Sequence, residues 1–133
     1  MWLGSRLVPA LVFQTPAARP VAVALAVLGA LVASMGLVSF RRARTTVNPL
    51  EPQQASTLVV RGVYHVSRNP MYLGFAVLLL AWAFWLSHPL ALIGVALFIL
   101  YMNRYQIEPE EHALDARFGA EYRRYKQRVR RWL

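Results

Sequence analysis

The chain has no cysteine, which excludes a disulfide, a thiolate metal site and a cysteine nucleophile. Histidine is scarce, and His65, His88 and His112 lack the i, i+4 spacing of a helical metal pair, so no metal is expected. Acid is scarce too: six Asp and Glu stand against fifteen Lys and Arg, for a net charge of +9. A basic excess suits nucleic acid when it spreads over a soluble fold. Here the arginines cluster beside apolar runs, so a membrane surface is the expected partner and nucleic acid is not. Internal repeats and low-complexity tracts are also missing.

What is present is apolar sequence, 57% of 133 residues, enough for a single domain over 1–133 that is built around a bilayer. Val21 to Phe40 is uninterrupted between Arg19-Pro20 and Arg41-Arg42. At about 1.5 Å per residue it reaches roughly 30 Å, the thickness of the hydrocarbon core. It is too long for a signal-peptide core and ends in arginines instead of a small-residue cleavage site. Ala22, Ala26, Ala30 and the pair Gly29/Ala33 put small residues on adjoining helix faces, either for close helix packing or as plain alanine richness.

Met71–Leu86 and Leu90–Met102 are apolar segments separated by Ser87-His88-Pro89. Joined, they would measure about 48 Å, too long for one span, and proline disfavours a continuous helix. The expectation is a tight helical hairpin, with spans at 21–40, 71–86 and 89–103. Arginine placement puts the loop 41–69 and the tail 104–133 in the cytoplasm, with His88 on the far side. Leu7–Phe13 is too short to span alone and reads as an interfacial helix or an eroded span. Thr45–Thr57, with Asn48-Pro49 and Glu51-Pro52, reads as an irregular loop, and Leu58–Val60 as a short extended stretch.

Two polar constellations flank the hairpin. In the first, Gly62-Val-Tyr64-His-Val-Ser-Arg68-Asn69-Pro70-Met71-Tyr72-Leu-Gly74, Pro70 suits a first helical turn and Asn69 an N-cap. That local account leaves Tyr64 and Tyr72 over, an aromatic pair beside helix N-terminal amides that can enclose a flat purine. In the second, Glu110-Glu111 follow Pro109 and are expected to open a helix; Glu111 would cap it or pair with a basic residue. Leu114, Phe118, Tyr122, Tyr125, Val129 and Trp132 then form one apolar stripe at helical spacing, read as packing. Arg123, Arg124, Lys126, Arg128, Arg130 and Arg131 are expected at anionic headgroups, making this helix an amphipathic cytoplasmic lid.

The order G-x-Y-x-x-x-R-N-P-x-Y, hairpin, E-E-x-x-L-x-x-x-F-G-x-x-Y-x-x-Y resembles the isoprenylcysteine carboxyl methyltransferase family and its relatives the phospholipid methyltransferases, from Thr45 to the C-terminus. The resemblance implies S-adenosylmethionine as cofactor, held by Ser56, Thr57, Leu58, Val59, Tyr64, Asn69, Pro70, Met71, Tyr72 and Glu110, with Glu110 facing the methionine ammonium. Asn69 stands where the family commonly has histidine; both donate hydrogen bonds. Asn103, Arg104 and Gln106 would meet a substrate arriving from the bilayer. Gln106 stands where the family commonly has a carboxylate-binding arginine, which weakens the case for a prenylcysteine acceptor.

The expected molecule is therefore an all-α, small polytopic membrane protein: a methyltransferase acting on a lipophilic acceptor, with its active site on the cytoplasmic side. A carboxylate acceptor needs no base; an amine acceptor needs one, with Glu108 or Tyr64 as weak candidates, and no catalytic residue is assigned. A phospholipid amine methyltransferase is the alternative enzyme. A non-catalytic membrane adaptor would explain spans and charge but leave the motif spacing to chance.

Overall fold

The computed structural model describes residues 16–43 and 58–133. Ser56, Thr57, the stretch around Leu7–Phe13 and the loop 45–57 lie outside the described residues. Among the described residues the structure is all-helical, without a strand. Helix α1 (Ala18–Arg42) starts before the apolar run because Pro20 sits in its first turn, where a missing N–H costs nothing. Arg41 and Arg42 close it, favourably placed at the negative end of the helix dipole.

Helix α2 (Pro70–Leu86) and helix α3 (Pro89–Tyr101) form the expected hairpin. Ser87 turns the chain with φ 49°, and its Oγ donates to Phe84 O at 3.1 Å. His88 is buried at the tip and caps α3, its Nδ1 accepting from Leu90 N at 3.2 Å. Beyond α3 the chain does not restart a helix at Glu110. A π-helical turn (Met102–Ile107) runs straight into α4 (Glu108–Phe118), with Glu108 N–H bonded back to Asn103 O. A proline inside a helix needs such a register shift, and Pro109 directly follows it. Glu110 and Glu111 thus lie within continuous helix from Pro89 to Phe118, and no free helix terminus holds them.

Pro89–Phe118 and α1 are long and apolar enough to cross a membrane; α2, at 17 residues, is shorter. Val23, Val27 and Leu31 on α1, and Ile93, Leu97 and Leu100 on α3, are exposed apolar residues suited to lipid. The α1–α2 contact is made by small residues: a Cβ at Gly74 would stand 2.7 Å from Ala33 Cβ and from Gly29 O. Of the small-residue positions read from sequence, Gly29, Ala33 and Ala22 face inward, whereas Ala30 is exposed.

The C-terminal stripe is not one helix. Gly119, with φ 54° and ψ −121°, breaks α4 from α5 (Ala120–Arg128), and Val129 is already extended. The stripe still converges on one core. Tyr122, Tyr125 and Val129 pack with Val59 and Tyr64, and Phe40, Leu114 and Phe118 lie against them. Phe40 meets Tyr64 edge-on at 5.4 Å between ring centroids. This cluster joins the end of α1 to the C-terminal helices.

Candidate functional site

Tyr72, in the first turn of α2, is buried and points its phenol at α4, where Oη donates to Glu110 Oε1 at 2.5 Å. Gln106, one helical turn before Glu110, donates Nε2 to the same oxygen at 2.6 Å. Both donors thus converge on Oε1 of this half-buried carboxylate. An acceptor oxygen held this way suits an ammonium group. A carboxylate is the kind of acceptor that the ammonium of a methionine-like ligand requires.

Tyr64 is buried beside this pair, and its backbone O accepts from Tyr125 Oη at 2.7 Å. Burial, then the neighbouring Tyr125 and the charge on Glu110, drive the Tyr64 phenol well above its ordinary value of 10.0. A phenol raised in this way gives up its proton less readily than an ordinary tyrosine. Glu108 is turned away, paired with Arg104 at 2.9 Å on the exposed side.

The other residues implied for the cofactor divide. Leu58 and Val59 pack around Tyr64 and line a cavity of about 600 Å³ with Ser39, Arg42, Arg61 and Glu121. Tyr72 and Glu110 are not among the residues that line that cavity. Pro70 and Met71 face α1, where a side chain at Gly36 would collide with both. Asn69 occupies the N-cap position without capping: its Nδ2 donates to Arg131 O at 2.9 Å.

The residues expected at the substrate are also engaged internally. Asn103 Oδ1 accepts from Trp132 Nε1 at 3.0 Å, Gln106 is bonded to Glu110, and Arg104 alone of the three points outward. Arg131, expected at headgroups, has a partner within the protein: its guanidinium grips Glu111 through Nε–Oε1 at 3.0 Å and Nη2–Oε2 at 2.7 Å. Arg123 and Lys126 likewise turn to Asp115, at 3.0 and 3.1 Å. Arg68 Nη1 stands 3.0 Å from Glu111 Oε1 but is not aligned to hydrogen-bond it, so the contact is one of charge. Sequence reasoning missed Ser67 and Arg131. Only the glutamate pair, one member too many for a single ammonium, hinted that Glu111 had another partner.

The family model described as phospholipid methyltransferase matches residues 18–121. An uncharacterized protein of Haemophilus influenzae is 57% identical over 63 residues, 47% of this chain and the whole of that protein. Protein-S-isoprenylcysteine O-methyltransferase B of Arabidopsis thaliana is 29% identical over 103 residues, 77% of this chain and 52% of that one. The human protein-S-isoprenylcysteine O-methyltransferase is 35% identical over 86 residues, 59% of this chain and 28% of that one. The chain spans about half the length of the plant relatives it matches. No solved structure matches it.

Proposed function

The chain belongs to the phospholipid methyltransferase family, and from that premise we propose that it is an integral membrane methyltransferase using S-adenosylmethionine to methylate a lipophilic acceptor on the cytoplasmic side. The observation that carries the reading is the half-buried Glu110 carboxylate, fixed through Oε1 by Tyr72 and Gln106. Bound there, S-adenosylmethionine would supply a methyl group already activated on a sulfonium. The chain's part is then to hold the ammonium on Glu110, to align the acceptor and to exclude water. The adaptor reading gives no reason for a half-buried carboxylate held in this way.

We favour a carboxylate acceptor of the isoprenylcysteine kind. A carboxylate is ionised at neutral pH and forms an ester without releasing a proton, whereas an amine must lose one. Neither group weighed as a base is suited to take that proton, since Tyr64 is held protonated and Glu108 is salt-bridged on an exposed face. The names of the Arabidopsis and human relatives agree with this choice. Against it stands Gln106, which leaves Arg104, two residues earlier and on an exposed face, as the cation for an anionic acceptor.

Purified protein in detergent is titrated with S-adenosylmethionine, and labelled-methyl transfer is then followed to a farnesylcysteine analogue and to phosphatidylethanolamine. Saturable binding with ester formation supports the reading. Binding with transfer to the amine alone makes it a phospholipid N-methyltransferase, and absence of binding overturns the enzyme.

A further inference from the structure

After α5 the chain leaves helical geometry at Val129 and runs back across the cytoplasmic ends of the hairpin. The polar groups it meets flank the hairpin on both sides. Arg130 O accepts from Arg68 N at 3.0 Å, and Arg131 O accepts from Asn69 Nδ2 at 2.9 Å, with Ser67 Oγ at 3.5 Å. Trp132 Nε1 donates to Asn103 Oδ1, and the Arg131 guanidinium closes bidentately on Glu111. This short tail thus ties together the turn before α2, the π-helical turn after α3, and α4.

The places gripped are related to the site in one way. Asn69 lies three residues before Tyr72, Asn103 three residues before Gln106, and Glu111 directly after Glu110. The tail therefore holds a near neighbour of each member of the Tyr72–Gln106–Glu110 cluster. We propose that Glu111 and Arg131 are positioning residues: their ion pair latches Val129–Leu133 across the hairpin mouth and sets the spacing that lets Tyr72 and Gln106 meet on Glu110. The proposal rests on the reading of Glu110 as the methyl donor's anchor. Glu111 suits a latch because it is largely buried and balances two guanidiniums, Arg68 and Arg131, so the tail docks with its charge compensated. By linkage, a latch that favours the donor is itself favoured by the donor.

Two measurements test it, and the lack of native cysteine makes the second clean. Arg131→Ala is expected to weaken S-adenosylmethionine binding about fivefold or more, within the usual range of coupling between sites. Arg131→Lys, which keeps the charge but loses the fork, and Trp132→Phe, which removes the indole N–H, should fall between that variant and wild type. Ser67→Cys places a thiol where Ser67 is wholly buried beside Arg131. Its reaction with a maleimide is expected to slow when the donor is added and to quicken in the Arg131→Ala or Trp132→Phe background. If Arg131→Ala does not fold, the Trp132→Phe background carries both readouts. Donor binding that is equal in wild type and variants, with labelling indifferent to donor, overturns the latch and leaves the methyl-donor reading standing. Failure of wild type to bind the donor removes both.

Discussion

Tyr72 and Glu110, 38 residues apart in sequence, meet through a 2.5 Å hydrogen bond between the first turn of the hairpin and the helix that follows it. The contact ties one carboxylate oxygen to the first turn of α2. Glu110→Gln should keep the fold, because an amide oxygen can still accept from Tyr72, but lose the charge offered to the ammonium. A charge-assisted hydrogen bond contributes roughly 1.5–3 kcal/mol, so donor affinity is expected to fall about tenfold to a hundredfold. Calorimetric titration of the folded variant checks this, and unchanged affinity would take Glu110 out of the site.

Gln106→Arg restores the arginine common in the resembled family, but here position 106 already faces Glu110. A guanidinium at that distance would pair with the carboxylate and compete with the donor's ammonium. The expected outcome is tighter use of a carboxylate acceptor together with weaker donor affinity. Steady-state kinetics with each substrate varied separates the two effects; an unchanged KM for both would show that position 106 touches neither.

Gly74→Ala tests the α1–α2 contact. The added methyl would lie 2.7 Å from Ala33 Cβ and from the backbone at Gly29, so the helices must separate. Overpacking of this kind costs about 1–3 kcal/mol, visible as a lower unfolding midpoint in detergent.

Gly119→Ala tests backbone strain apart from packing. Nothing lies within 4 Å of a Cβ there, but φ is 54° with ψ −121°, a conformation that disfavours any side chain. The expected loss is about 1–3 kcal/mol. A midpoint equal to wild type would mean that the α4–α5 break survives without glycine.

Alkaline pH should unfold the core around Tyr64. Burial raises Tyr64 and Tyr125 well above the ordinary 10.0 and Tyr122 to about 12. Because the folded values exceed the unfolded one, these groups cost nothing below pH 10.0, and stability falls as pH climbs above it. Thermal melts across this range, read with tyrosinate absorbance, should show loss beginning near that value. Tyr125→Phe should flatten the slope while lowering neutral stability by about 1 kcal/mol through its lost bond to Tyr64 O.

The apolar helices and the hairpin were legible because their causes are local. A run such as Val21–Phe40 needs lipid whatever surrounds it, and Ser87-His88-Pro89 interrupts a helix by its own backbone chemistry. Tyr72 and Glu110, both implied for the cofactor by the resemblance, bond directly, with Tyr64 beside them. Local signals misled where two structures shared one pattern. Pro109-Glu110-Glu111 reads as a helix start, yet the preceding π-helical turn lets the helix pass through. The stripe from Leu114 to Trp132 reads as one helix, yet Gly119 divides it.

Sequence by itself determined which segments are apolar, where the chain turns, and which polar residues are available at the ends of the hairpin. Only the tertiary structure decided how those polar residues pair. Asn69 and Asn103 are equally able to meet a ligand or the tail, and Glu111 to cap a helix or bind arginine, so composition cannot choose among them. Asn69 finds its partner 62 residues away, at Arg131. The choice follows from the packing of Tyr122, Tyr125 and Val129 against Tyr64, which carries the tail across the hairpin mouth and brings Arg131 to Glu111.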